Sequence, residues 1–386
     1  MKTNVNISNK MLNWIMTQIH IDYLPSEVQQ NLQHWLRGDK TPTYNQIEKA
    51  SKATGIPLGY FFLQSPPAEN LSLVDYRTVD SVALENPSRN LIDTIQDMEL
   101  VQEWMREHLI SEDASVLPFV GAFKRQINVA DFADSIRRIL DLPTEWFAKM
   151  QTATDSFRKI REHISESGVV VMLNGVVGNN THRPLDINEF RAFTIIDDYA
   201  PLIFINSNDS FNGKLFSLLH EFVHICIGEN NLFNDRYGDS KKVKKTETLC
   251  NAVAAELLVP QTVFIRQWNT EIQDKDAEQT ILSLTKHFKC GTTVIARKAL
   301  DNGFIDYALY EKIAQLAIKL YAERKKAKSG GDFYRTTKSR LDQRFFNMLA
   351  NSVAEGKTLY SDAFRLTHTT RTSFTELKKR AEGGTR

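Results

Sequence analysis

The sequence predicts an α+β fold that is predominantly helical and contains one small sheet. Apolar residues recur at helical spacing along much of the 386-residue chain, for example from Leu91 to His108. Three short runs rich in β-branched and aromatic residues lie close together at 168–173, 190–196 and 201–206, which is typical of strands. The stretch that follows, 216–228, is apolar on every side and therefore indicates a buried helix.

Residues 1–66 are predicted to form a small helical module. Three helices are expected in it, near 11–15, 26–35 and 44–50. The turn from Trp35 to Thr43 and the helix after it resemble the last part of the helix-turn-helix of phage-repressor-like proteins. Residues 1–63 carry only six Lys and Arg against four Asp and Glu. We therefore interpret the module as a degenerate helix-turn-helix that recognises a partner, with weak DNA binding as a further expectation.

The second predicted unit, residues 67–265, begins after the structure-breaking Ser65-Pro66-Pro67. It contains helices at 91–108, 129–140 and 153–166, the three strands, and two further helices. The first of these last two is the apolar helix at 216–228, and the second, at 246–260, is closed by Pro260. Three strands ahead of the apolar helix predict that an extended peptide pairs with an edge of the sheet.

The apolar helix contains the motif H-E-x-x-H. His220 and His224 are four residues apart, so a helix places both imidazoles on one face, within reach of a single ion. Glu221 can reach whatever that ion binds. Burying these groups among apolar residues is strongly unfavourable without a partner, and a divalent cation is the partner we predict. The alternative is a core helix whose histidines only bond to neighbouring backbone.

A third metal ligand is expected from the helix at 246–260, because a catalytic zinc usually has three protein ligands and one open position. Glu247 is the favoured candidate, on a face that it shares with Asn251. Glu256 is the second candidate, although the sequence around it turns into hydrophobic core. A cysteine such as Cys250 is more often a small buried apolar residue than a ligand.

Together, L-x-H-E-x-x-H and E-x-x-C-N-x-V-A-A-E-x-L-V-P resemble the ImmA/IrrE family of zinc metallopeptidases. The resemblance extends to 35–43, 56–63, Asp75-Tyr76-Arg77-Thr78 and 330–334. It implies a zincin-like peptidase core within 67–265, flanked by helix-turn-helix-like modules. It also implies one Zn²⁺ per chain, with His220, His224 and Glu247 as metal ligands and Glu221 as the catalytic general base. From position alone, Tyr237, His182 and Arg191 are candidates for a second oxyanion donor, with a solvent-exposed loop histidine as the alternative for His182.

Two further helical regions complete the predicted chain. Residues 266–328 contain a helix, the turn Lys289-Cys290-Gly291 and a second helix, which resemble a repressor-type helix-turn-helix; the alternative is a helical pair packed on the core. Residues 329–386 form a basic helical region. From Arg324 onward there are 15 Lys and Arg against 6 Asp and Glu, a net +9, which leaves the preceding residues at −8. This asymmetry indicates an acidic partner, either nucleic acid or an acidic protein face; the alternative is a solvated helical surface.

The expected function is regulatory proteolysis. The resemblance implies a zinc metallo-endopeptidase that cleaves a specific bacterial or phage regulator, such as a repressor or a toxin or antitoxin partner encoded nearby. The alternative is a non-catalytic, zinc-containing antitoxin or transcriptional regulator that acts by binding protein or DNA. The sequence has no run of 18 apolar residues, no signal-like amino terminus and three widely spaced cysteines. We therefore expect a cytoplasmic protein with no membrane partner.

Overall fold

The computed structural model describes residues 5–19, 21–67, 87–125, 128–229, 231–233, 245–325 and 333–382. The predicted D-Y-R-T segment at 75–78, the candidate Tyr237, the Gly330-Gly331-Asp332 stretch and the tail 383–386 lie outside these ranges. The helices that we number are α1 (Asn9–Gln18), α2 (Ser26–Arg37), α3 (Tyr44–Thr54), α4 (Arg89–Ser111), α5 (Val129–Ile139), α6 (Ala153–Glu166), α7 (Phe211–Ile227), α8 (Lys245–Leu258), α9 (Gln261–Glu271), α10 (Ala277–Phe288), α11 (Thr292–Asp301), α12 (Tyr307–Lys325), α13 (Phe333–Arg340), α14 (Gln343–Ala354), α15 (Tyr360–Thr367) and α16 (Arg371–Glu382). The strands are β1 (Val170–Asn174), β2 (Val176–Val177), β3 (Asn180–Pro184), β4 (Ala192–Ile195), β5 (Leu202–Asn206) and β6 (Asn231–Phe233).

The central sheet has four strands in the order β1-β5-β4-β6. Strand β1 runs parallel to β5, whereas β4 runs antiparallel to both β5 and β6. The three strand predictions are confirmed as β1, β4 and β5. Every residue of β4 and β5 is buried, since helices cover both faces of the sheet. A separate antiparallel hairpin, β2–β3, lies between β1 and β4 in the sequence.

Two hydrophobic cores lie on opposite faces of this sheet. One contains α7 with parts of α5, α6, α8, α10 and α11, together with the β1 and β5 side chains of Val171 and Ile203. The other contains α4 and α14–α16, together with the alternate strand residues Met172 and Phe204. Because successive side chains of a strand point to opposite faces of the sheet, each strand contributes side chains to both cores. The described part of the chain is therefore an α+β fold with a helical layer on each side of a small sheet.

Helix α7 has clear signals at both ends, which fix the position of the H-E-x-x-H motif. The side chain of Ser210 accepts a hydrogen bond from the N–H of Gly213, a typical N-cap. At the other end Gly228 adopts a left-handed conformation with φ +83°, and its N–H bonds to the carbonyls of His224 and Ile225. Almost every residue between these ends is buried, as expected for a helix that is apolar on all sides.

The carboxyl-terminal helices seal the outer edge of the sheet at β1. The Asp342 carboxylate accepts a hydrogen bond from the N–H of Val171 at 3.2 Å and also caps α14 through the N–H of Phe345. Arg161 of α6 donates to the carbonyls of Val171 and Leu341. An edge strand with unpaired backbone groups would invite pairing with another chain, and these contacts satisfy those groups internally.

The amino-terminal helices α1–α3 have their own hydrophobic core, which includes Trp35 and Phe61. The hairpin β2–β3 joins this unit to the rest of the molecule. Arg183 of β3 is buried, bonds to Asp93 of α4 at 2.7 Å, and lies directly against Gly55, where a Cβ atom would overlap the guanidinium group. The ring of His182 contacts the carbonyl oxygen of Tyr23 at 3.0 Å.

Helices α10 and α11, joined by the turn 289–291, pack into the core beside α7 and α8. Ile295, Ala296 and Ala299 of α11 are fully buried, and α12 covers a further part of that helix. Two faces of α11 are therefore occupied by protein.

Taken singly, no helix in the described ranges has both the length and the apolar character needed to cross a membrane; α8 and α9 meet those criteria only as a pair, bent by 60°.

Candidate metal centre

The candidate site forms where α7 packs against α8. Small or slender side chains on α8, among them Cys250, Val253 and Ala254, are fully buried and let the two helices approach closely. This contact brings Glu247, in the first turn of α8, against the histidine face of α7. The structure thereby brings together the three residues that sequence analysis favoured as metal ligands.

The ligand atoms of these residues converge on one point. The Nε2 atoms of His220 and His224 are 3.1 Å apart, and they lie 3.2 and 3.3 Å from the two carboxylate oxygens of Glu247. Atoms that bind one zinc ion at tetrahedral angles, each about 2.0–2.1 Å from it, are separated by about 3.3 Å. The donor set of two imidazoles and one carboxylate is also a zinc set. His220, His224 and Glu247 therefore fit a divalent zinc ion in both spacing and chemistry.

The electrostatics of the cluster also favour a cation. Burial alone would raise the pKa of Glu247, but hydrogen bonds with both histidines hold it well below its ordinary value, so the carboxylate is ionised. Burial lowers the pKa of His220, and the interactions with Glu247 oppose this only in part. For His224 burial acts in the same direction, but Glu247 outweighs it and the pKa is raised. A buried anion faced by two imidazoles is a site that a metal cation would neutralise.

Glu221 is fully buried beside this cluster and faces the sheet. Its Oε2 accepts a hydrogen bond from the hydroxyl of Thr194 on β4, whereas its Oε1 has no hydrogen-bond partner within the described residues. Burial raises the pKa of Glu221 to about 8, against the lowering influence of His224 and Thr194. A nearby divalent cation would lower this value. The arrangement gives a carboxylate with one oxygen held in place and one available for proton transfer.

Two polar residues lie beside the cluster. Burial lowers the pKa of His220, and Asn251, one turn after Glu247 on α8, lies close enough to oppose that shift in part. Sequence reasoning placed Asn251 on the Glu247 face without giving it a role, and it did not single out Thr194. The available signal for Thr194 was a single polar residue in a strand that is otherwise apolar, at a position that is completely buried.

The second ligand candidate, Glu256, lies away from the cluster. Nine residues along a helix turn a side chain to the opposite face, and there Glu256 pairs with the buried Lys298 and accepts the backbone N–H of Gln261. Of the two acids of α8 that the sequence offered, Glu247 is therefore the one that lies beside the histidines. Burial raises the pKa of the Cys250 thiol, so this residue behaves as a neutral core side chain.

The two described candidates for a second oxyanion donor, Arg191 and His182, contact other residues and not the cluster. Arg191 pairs with the buried Asp209 at 2.7 Å, and His182 contacts the amino-terminal helices. Both sides of β4 are occupied as well, by β5 and by β6. The sheet edge on the β4 side is therefore β6 (Asn231–Phe233), a strand that sequence analysis did not predict.

Comparison with known protein families identifies the same region of the chain as similar to a peptidase family. Residues 164–300, which contain the whole cluster and extend from the end of α6 to the last turn of α11, match the family model of the IrrE N-terminal-like domain, Peptidase M78. Residues 341–380 match a domain of unknown function, DUF8813. No curated protein and no solved structure matches the chain. At the level of the family, residues 164–300 are thus similar to metallopeptidases of the IrrE type.

Proposed function

We propose that this protein is a zinc-dependent regulatory endopeptidase. The observation that carries the proposal is the spacing of the ligand atoms: the Nε2 atoms of His220 and His224 lie 3.2 and 3.3 Å from the carboxylate oxygens of Glu247. The buried carboxylate of Glu221 lies beside them. These four residues lie inside the segment that is similar to the IrrE N-terminal-like domain. Their donor set leaves one position for water or substrate, as catalytic zinc sites do, whereas structural sites close that position with another Cys or His.

The residues of the site have distinct roles in this proposal. His220, His224 and Glu247 would hold one Zn²⁺, which when bound supplies the Lewis acidity that activates water and polarises a peptide carbonyl. Glu221 accepts the proton of the attacking water on its Oε1 and later passes that proton to the leaving amine. Thr194 holds the other carboxylate oxygen. Asn251, whose side chain lies close to His220, would help to position that imidazole once the metal is bound.

The proposed substrate is a bacterial or phage regulator, either a repressor or a toxin or antitoxin partner encoded nearby. Regulatory cleavage of one such protein requires selection beyond the metal site, because main-chain pairing with a strand gives affinity with little selectivity. The amino-terminal helices α1–α3, joined to the peptidase region through Arg183, are the proposed recognition module. The three buried, unpaired cysteines are consistent with a cytoplasmic location, which we also propose.

Substitution of Glu221 tests the proposal. The Glu221→Gln variant keeps the shape of the side chain and all three metal ligands but cannot take a proton, so we expect full zinc content and loss of cleavage. The measurement is cleavage of the purified product of the neighbouring regulator gene, with and without a chelator, followed by gel electrophoresis and mass spectrometry. If the Glu221→Gln variant cleaves the substrate at the wild-type rate, the proposed role of Glu221 as the general base is wrong. Full zinc in the wild-type chain with no cleavage of that product would instead favour a binding regulator.

A further inference from the structure

The last three helices form a compact unit around one aromatic side chain. The ring of Phe374 on α16 lies 5.5 Å from that of Phe346 on α14 and 5.7 Å from that of Phe364 on α15. This unit coincides with the segment that matches the domain of unknown function. None of its residues belongs to the candidate metal centre, which lies on the other face of the sheet.

Helices α15 and α16 have the helix lengths and the short turn of a helix-turn-helix. An eight-residue helix is followed by the turn 368–370 and a twelve-residue helix. His368 adopts the left-handed conformation that such a turn needs, with φ +49°, and its ring is anchored by Asp97 at 3.0 Å. The side chains of Thr370 and Ser373 each accept a hydrogen bond from the other's backbone N–H, which caps the start of α16.

The buried side chains of α15, the turn 368–370 and α16 lie on one side of this helix pair. The buried residues lie toward α14 and α4, and they are Ala363, Leu366, Thr367, Thr369, Ser373, Phe374 and Leu377. The opposite side of α16 carries the exposed side chains of Arg371, Thr372, Thr375 and Lys379, together with the ion pair between Arg380 and the partly exposed Glu376. Among the described residues, the main contacts of α16 are with α13, α14 and α15, which leaves the side chains of Arg371, Thr372, Thr375 and Lys379 exposed.

The composition of this outer face matches DNA better than protein. None of the exposed large apolar side chains in the described ranges lies on α16. A helix that docks on a protein usually presents apolar or aromatic anchors, whereas Arg, Lys and Thr are the residues that contact phosphates and base edges. Tyr360, exposed at the start of α15, offers a hydroxyl of the kind that bonds phosphate. Residues 360–382 carry five Lys and Arg against three Asp and Glu, a net +2 within the net +9 that follows from Arg324 onward, so the motif has the charge sign that DNA attracts.

A second helix pair in the same chain shows what distinguishes this surface. Helices α10 and α11 are also joined by a short turn with a left-handed residue, Lys289, at φ +54°. There, however, the second helix is packed on two faces, and Ile295, Ala296 and Ala299 are fully buried. Arg297 is the exposed cation that remains on α11. Of these two helix pairs, α15–α16 is the one whose second helix is free to enter a groove.

We propose that α15 and α16 form a DNA-binding helix-turn-helix, with α16 entering the major groove of a DNA duplex. Arg371 and Thr372, at the start of α16, then face the base edges, since the first residues of a recognition helix make these contacts. Lys379, two turns later, contacts a phosphate. The protein would thus combine a metal-dependent site on one face of the sheet with a DNA-reading element on the other.

The test is duplex binding by the full chain, measured as the fluorescence anisotropy of a labelled random-sequence DNA of about 30 base pairs, over about 50–200 mM salt. We expect the double substitution Arg371→Ala with Lys379→Ala to weaken binding about tenfold or more and to reduce the salt slope by about one, because Lys379 makes the phosphate contact. The matched control is Arg297→Ala, which removes an exposed cation from the buried second helix of the other pair and leaves binding unchanged. The exchange Arg371→Lys with Lys379→Arg retains both charges, so it keeps most of the affinity.

Three results would overturn the proposal: no binding of the duplex at the lowest salt, equal binding by the double alanine variant, or tighter binding of single-stranded RNA of the same length. Circular dichroism melts of each variant verify folding, which the exposed positions of Arg371 and Lys379 should preserve. DNA binding is expected to be unchanged in Glu221→Gln, so the outcome is independent of peptidase activity.

Discussion

At the scale of single residues, the site depends on which polar groups are buried together. The sequence identified His220, Glu221 and His224 because their spacing has only one simple helical interpretation. It favoured Glu247 over Glu256, and the structure places only the first of these beside the histidines. Thr194 could not be found in this way, because its contact with Glu221 joins a strand to a helix 27 residues later, and pairing across that distance follows from packing.

Removal of the Thr194 hydroxyl should lower cleavage without releasing zinc. Thr194→Val keeps the shape of the side chain but loses the donor that holds Oε2 of Glu221. A hydrogen bond to a charged group contributes about 1.5–3 kcal/mol, so we expect kcat to fall roughly tenfold to a hundredfold. Thr194→Ser retains the hydroxyl and serves as the control. Equal kcat values for the valine and serine variants would show that this contact does not orient the base.

At the scale of elements, the long and strongly patterned segments were predictable and the short ones were not. The apolar helix became α7, and the three β-branched runs became β1, β4 and β5. The three-residue strand β6 has no pattern of its own and exists through its pairing with β4. The hairpin β2–β3 contains Gly178 and polar residues that normally indicate a loop; docking against α1–α3 and α4 gives it a fixed place.

The end of α7 depends on Gly228 for two reasons. Its φ of +83° disfavours a side chain, and a Cβ atom at this position would lie 2.8 Å from the Cα of Gly121. Gly303, at φ +68°, has nothing within 4 Å of the same position. We expect Gly303→Ala to cost about 1 kcal/mol of unfolding free energy from backbone strain alone, and Gly228→Ala to cost about 2–4 kcal/mol. Urea unfolding measures the loss of unfolding free energy in both variants. Equal losses would show that the backbone at Gly121 shifts away from the added Cβ atom at little cost.

At the scale of the whole molecule, the role of the carboxyl-terminal helices was the least predictable feature. Their excess of cations suggested a surface region, yet Phe345, Leu349 and Phe374 fill the core behind the sheet. Charge describes the exposed side of such helices, whereas the partner of their buried side lies about 170 residues earlier at β1. Contacts of this range carry no local signal in one sequence.

Asp342 links the carboxyl-terminal helices to β1, and its removal should destabilise the fold. Asp342→Ala removes both the N-cap of α14 and the acceptor of the Val171 N–H. Loss of a cap costs about 1 kcal/mol and an unsatisfied buried donor about 1–3 kcal/mol, so we expect about 2–4 kcal/mol in total. Asp276→Ala removes only the cap of α10 and should cost about 1 kcal/mol. Equal losses in thermal unfolding would mean that the bond to β1 contributes nothing.

The central claim is that one zinc ion is held between α7 and α8 by His220, His224 and Glu247. Its most direct test is the zinc content per chain, determined by elemental mass spectrometry after dialysis, for the wild type and for two Glu→Gln variants of the same helix. We predict one zinc per chain in the wild type, loss of zinc in Glu247→Gln, and retention in Glu256→Gln. A wild-type chain that takes up no zinc, or a Glu247→Gln variant that retains a full equivalent, would contradict the account.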